Sequence, residues 1–180
     1  KQGDVIGLSG NSGQSGGPHL HFEIRDTKTE HTLNPLAFGF DVDDNINPIL
    51  SEIKIYTHQN STINHKNEDL RIPLNKEQGN YLLNSNSDIK VNGDISFGIS
   101  TIDRQNGAPY NKNGVYSIKL FVDDNLIHHF EVDELSFSEK RFFNSHIDYA
   151  CYIDNSIRFN RCYTLPYNKL SNYKKNINIL

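Results

Sequence analysis

The chain has 180 residues, 18 Lys and Arg against 22 Asp and Glu for a net charge of −4, and 36% hydrophobic residues with neither Met nor Trp. That length allows one large domain or two small ones, with a core that needs neither disulfides nor a structural metal. The acidic excess, with no basic cluster beyond Lys174-Lys175, argues against nucleic acid, and no apolar run approaches the roughly 18 residues of a membrane span.

Glycines crowd the start of the chain at Gly3, Gly7, Gly10, Gly13, Gly16 and Gly17. Residues 4–8 read as a short strand, residues 9–18 as a glycine-rich loop, and residues 19–25 as a strictly alternating strand. Asn34-Pro35-Leu36 closes this segment, and glycine entropy together with Pro18 and Pro35 disfavours helix throughout it. Residues 41–48 are polar, end in Pro48 and read as a linker. Their Asp and Asn oxygens resemble a calcium loop only superficially, because the glycine and distal Glu of an EF-hand are missing.

Beyond the linker, period-two alternation recurs at residues 53–55, 95–99, 115–122 and 126–132. Asp123-Asp124-Asn125, Asn92-Gly93, Asn106-Gly107 and Asn113-Gly114 supply turn chemistry between such runs. Residues 58–92 read as long Asn-rich surface loops, and only residues 134–143 look helical. A hairpin of residues 147–153 and 157–163 would set Cys151 opposite a position near 159, so Cys151 and Cys162 read as buried free thiols. The Tyr and Phe residues fall at alternating strand positions, where core packing explains them. The predicted fold class is all-β, with an antiparallel sandwich over residues 49–180.

The segment His19-Leu20-His21-Phe22-Glu23-Ile24-Arg25 carries chemistry. On a strand, Leu20, Phe22 and Ile24 point to one side, while His19, His21, Glu23 and Arg25 point to the other. The two imidazoles then stand roughly 7 Å apart, too far to bond each other. That spacing suits one His on a metal and its neighbour reaching a group beside that metal. Zinc takes neutral imidazole nitrogens, and a strand behind a flexible glycine loop gives fixed ligands beside an open cleft. By itself the pair is a weak motif, since two histidines on a solvated strand face would look the same. His128-His129 cannot share a metal, because adjacent strand residues face opposite ways, and a structural role is expected there.

The run GDVIGLSGNSGQSGGPHLHFEIR at residues 3–25, followed by Asn34-Pro35-Leu36, closely resembles the lysostaphin-type, LytM-like zinc metallopeptidases of bacterial cell walls. The resemblance covers about the first 40 residues. It implies that residues 1–40 are the C-terminal piece of a lysostaphin-type (duplicated hybrid motif) β-sheet domain, that His21 is a zinc ligand, and that His19 is the catalytic histidine. It gives Glu23 and Arg25 no catalytic role, only support of the strand and cleft wall. It also implies two further zinc ligands, a His and an Asp in an HxxxD motif, upstream of the HxH strand. The eighteen residues before His19 contain no His, and His31, His58, His65, His128, His129 and His146 stand in no HxxxD arrangement. The expectation is therefore a C-terminal fragment of a metallopeptidase whose other zinc ligands precede Lys1.

More loosely, residues 49–180 resemble the C-terminal β-sandwich of Bacteroidetes-like envelope peptidases, an immunoglobulin-like accessory domain. The expected reaction is hydrolysis of a peptide bond in peptidoglycan, in the periplasm or outside the cell, with one zinc ion in the full-length parent and peptidoglycan peptides as partner. The rival is a non-enzymatic envelope protein with a degenerate peptidase domain, binding peptidoglycan or activating another hydrolase.

Overall fold

The computed structural model describes residues 1, 3–13, 15–40, 42–85 and 87–177. Gln14 of the expected glycine loop, Asp41 of the expected linker, Asn86 of the expected surface loops and residues 178–180 of the expected sandwich lie outside them.

In chain order the strands begin with β1 (Ile24–Arg25), β2 (Thr32–Leu33), β3 (Ile49–Thr57), β4 (Thr62–Ile63), β5 (Leu70–Glu77), β6 (Asn80–Leu83) and β7 (Val91–Asn92). There follow β8 (Ile95–Gln105), β9 (Ala108–Asn113), β10 (Ser117–Val122), β11 (Asn125–Glu131) and β12 (Glu134–Leu135). Two short helices, α1 (Phe143–His146) and α2 (Tyr149–Asn155), precede β13 (Asn160–Arg161) and β14 (Tyr173–Asn176). The fold is mostly β, and every strand pairing is antiparallel.

The larger sheet runs β13-β8-β3-β5-β6, with β9 also on β8. Register explains its core. Ile53 sits opposite Ile72 and Ile99, and Ile55 opposite Leu70 and Phe97, so the period-two apolar residues of three strands share one face. Ile55, Ile63, Ile72 and Ile95 form the buried cluster, with Ile53, Leu70, Ile89 and Phe97 packed on it. A second sheet, β10-β11-β14, faces the first. Leu50, Ile53, Phe97 and Ile99 from one sheet and Ile118 and Leu120 from the other line an apolar cavity of about 360 Å³ between them.

The opposite face of the larger sheet is polar and covered by α2 and the segment after it. Asp148 bonds Lys54 Nζ at 2.8 Å, Tyr56 Oη at 3.0 Å and Arg161 Nη2 at 3.1 Å. Burial works against its charge, but Lys54 and Arg161 outweigh that and hold the carboxyl below its ordinary range. Gly98 is required here, because a Cβ would meet the Tyr56 ring at 2.9 Å.

Several expected elements differ. Residues 58–92 contain β4 to β7 rather than loops alone, including the β5–β6 hairpin. Pro73 masks the alternation of Leu70, Ile72 and Leu74, and the turn at Gln78 (φ 49) and Gly79 (φ 87) has positive dihedrals at both centres. The expected helix at 134–143 is replaced by β12, a 3-10 helix at Phe137–Phe142 and then α1, because Glu134 and Leu135 pair with Leu33 and Thr32. The expected hairpin over 147–163 is α2 followed by β13. Asp148 caps the helix by accepting from Cys151 N at 3.3 Å, and Ser156 ends it with φ 58. Both cysteines are free and buried, and burial pushes the Cys162 thiol up to about 12. By contrast, β10 and β11 meet at Asp123 (φ 47) and Asp124 (φ 63), where the turn was expected. Among the described residues, no helix is long and apolar enough to cross a membrane.

Candidate active-site segment

Residues 4–8 form no strand, and of the expected strand at 19–25 only Ile24–Arg25 is realised, as β1. The physical reason is the missing neighbour. β1 pairs only with β2, through Ile24 opposite Leu33 and Arg25 opposite Thr32, and no described strand lies beside residues 19–23 to complete a ladder. The side chains there stay open to solvent. Val5, Ile6, Leu8 and Leu20 are exposed, and Phe22 finds only partial cover in an edge contact with Phe40 at 5.4 Å.

The short sheet β1-β2-β12 ties this segment to the rest of the chain. Asn34 N donates to Asp133 O at 2.9 Å, and Thr32 Oγ1 donates to Leu135 O at 3.3 Å. Arg25 lies 5.0 Å over the Phe137 ring. Between the two parts opens a cleft of about 970 Å³ whose walls include Phe22, Leu33 and Tyr116. The charged residues lining it are all acidic, Glu23 and Asp133 among them.

His19 sits in the glycine-rich turn. Its Nδ1 is 2.9 Å from Gly17 O and 3.1 Å from Ser15 Oγ. A carbonyl only accepts, so Nδ1 carries the proton and Nε2 is the basic nitrogen. His21 is exposed, and its Nε2 lies 2.6 Å from Glu23 Oε1. Glu23 Oε2 accepts from Arg25 Nε at 2.7 Å. His21 and then Arg25 hold the Glu23 carboxyl below its ordinary range. The expectation from the resemblance that Glu23 and Arg25 support the strand and cleft wall did not include this chain of bonds, because spacing alone does not show that two acceptor oxygens are divided between two neighbours.

His19 and His21 thus remain in one short segment, but the other histidines do not join them. His31 approaches Glu134 at 3.6 Å, and His58 bonds Ser96 Oγ at 2.7 Å. His128 and His129 do face opposite ways, His128 fully buried on Asn176 Oδ1 at 2.8 Å and His129 on Glu131 at 3.2 Å. His146 is buried beneath Phe130, with ring centroids 3.9 Å apart. Among the described residues, no three of His, Cys, Asp and Glu come together as a metal site. His21 fits zinc as one ligand of a shared site: it is an exposed imidazole with one nitrogen held by a carboxylate, and no described residue bonds its Nδ1.

Comparison with known proteins agrees with that segment and stops there. The family model Peptidase family M23 matches residues 1–35, about a fifth of the chain and the same residues that resemble lysostaphin-type enzymes. No curated protein and no solved structure matches the chain. The first 35 residues are therefore related to a peptidase family, and the remaining residues form β-sheets for which no relative is found.

Proposed function

We propose that this chain is the C-terminal part of a zinc metalloendopeptidase that hydrolyses peptide bonds of peptidoglycan in the cell envelope. Residues 1–40 carry the peptidase segment, 41–48 the linker and 49–180 an accessory β-sandwich. The observation that carries the reading is the HLHFE segment at residues 19–23, inside the family match at residues 1–35, with its two histidines held by different neighbours. His21 contributes one ligand through Nδ1, and the remaining ligands come from outside this chain. Zinc bound there would supply Lewis-acid polarisation of the scissile carbonyl. His19 presents Nε2 as the proton acceptor, while Gly17 O holds the opposite nitrogen. The acidic cleft beside Glu23 would receive an extended peptide carrying a free amine.

The test is to read the coding sequence upstream of Lys1 and to assay the longer protein on purified peptidoglycan. An in-frame HxxxD motif is expected, with His21→Ala losing zinc and activity together. His19→Ala should keep zinc and lose roughly 10²-fold to 10⁴-fold in rate, the usual size of a positioned general base. Absence of that motif, or full metal content in His21→Ala, favours the non-enzymatic envelope protein instead.

A further inference from the structure

Three bonds arrange the HxH segment so that its histidines differ in more than sequence position. Glu23 offers two oxygens, and Arg25 reaches Oε2 with both Nε at 2.7 Å and Nη2 at 2.7 Å. Arg25 in turn rests on the Phe137 ring, which belongs to the part of the chain beyond β12. Oε1 is left to His21, whose Nε2 stands 2.6 Å away. An ionised carboxylate can only accept, so that short contact requires the imidazole proton on Nε2. In a neutral ring the lone pair is then on Nδ1. Two residues earlier the logic inverts: Gly17 O, also an acceptor alone, draws the proton of His19 onto Nδ1.

We propose that Glu23 is a positioning residue which fixes His21 in the Nε2–H tautomer with Nδ1 presented for metal, while Gly17 O fixes His19 in the opposite tautomer with Nε2 presented as base. The inference rests on the peptidase reading for the use of the two nitrogens, but not for the tautomers themselves. A metal-binding His commonly donates its second N–H to a carboxylate, which orients the ring and raises its basicity as a ligand. An ordinary exposed His–Glu pair would need no second cation behind the carboxylate. Here Arg25 bonds the far oxygen and so favours the Glu23 orientation that faces His21.

Ring-nitrogen NMR on the 180-residue chain tests this without metal, at about pH 8.5, where ordinary imidazoles are neutral. Exposed His65 serves as the reference in the same spectrum. His21 should be biased toward Nε2–H and His19 toward Nδ1–H relative to His65. Glu23→Ala should bring His21 to the His65 ratio and leave His19 unchanged, and Arg25→Ala should weaken the His21 bias without abolishing it. The same tautomer ratio in His19, His21 and His65, or a His21 ratio indifferent to Glu23→Ala, overturns the proposal. Neither result bears on whether the longer protein is a zinc peptidase, which falls instead on the metal content of its His21→Ala variant.

Discussion

Acid should loosen the seam between α1 and the strands β11 and β14, and the main cause is one imidazole. His146 is 3% exposed, stacked on Phe130 and bonded through Nδ1 to Tyr173 Oη at 3.0 Å. Its Nε2 is buried with no hydrogen bond of normal length. Burial, seconded by His128 and Arg161, pushes its pKa down to about 3, and Asn160 offers only a small opposing pull. No carboxylate is among the groups that act on it. The folded value lies below the ordinary 6.5, so its stabilising contribution is complete above pH 6.5 and is lost as pH falls toward 3. The loss amounts to about 2 kcal/mol at pH 5 and to roughly 5 kcal/mol when complete. His128, also lowered by burial, adds in the same direction. Urea unfolding between pH 7 and pH 5 covers this window and leaves out Asp148, whose carboxyl is held below its ordinary range. The parent should lose stability across that window, equivalent to about 4–8 °C in Tm at pH 5. His146→Gln, though less stable at pH 7, should show a distinctly flatter slope. An equal slope in parent and variant would refute the argument.

The 180-residue chain, incubated with zinc and desalted, should retain no stoichiometric metal by elemental analysis and show no peptidase activity, since among the described residues no three of His, Cys, Asp and Glu come together as a metal site; one tightly held zinc per chain would overturn this. Gly98→Ala should cost about 1–3 kcal/mol in urea unfolding, because its Cβ would press on the Tyr56 ring at 2.9 Å, and an unchanged midpoint would show that the ring yields freely. Limited proteolysis should cut first between residues 3 and 13, where Gly7 and Gly10 have nothing within 4 Å of an added Cβ, or between 42 and 47. Early cleavage inside β8 or β10 would reverse the assignment of stable and labile parts.

Where side chains alternate without interruption, the strands were legible from the sequence, but their register was not. Ile53, Ile55, Phe97 and Ile99 face the core together, and the Asp123-Asp124 turn joins the strands it separates. The failures have specific causes. Pro73 hid β5, although Pro73 O still accepts from Asn84 N at 2.9 Å. Asp148 read as an ordinary strand position, yet it caps α2 and gathers Lys54, Tyr56 and Arg161, residues from 94 positions before it to 13 after it. Such a long-range ion cluster leaves no periodic trace. The HxH pair stood out in the sequence. The assignment of its protons did not, because that depends on Gly17 and Arg25 closing on it in space.

The short sheet β1-β2-β12 bears on how the two parts of the chain depend on each other. β1 has only two residues and β2 only two, too little to be stable as an isolated ribbon in water. Their order comes from Glu134 and Leu135 pairing with Leu33 and Thr32, and from Phe137 beneath Arg25. Arg25 is also the residue that clamps Glu23, and Glu23 holds His21. The β-rich region therefore reaches the HxH segment through a continuous line of contacts, Phe137 to Arg25 to Glu23 to His21. Losing the Phe137 ring would leave Arg25 freer to part from Glu23, and the bias of His21 should then weaken in the same direction as in Arg25→Ala.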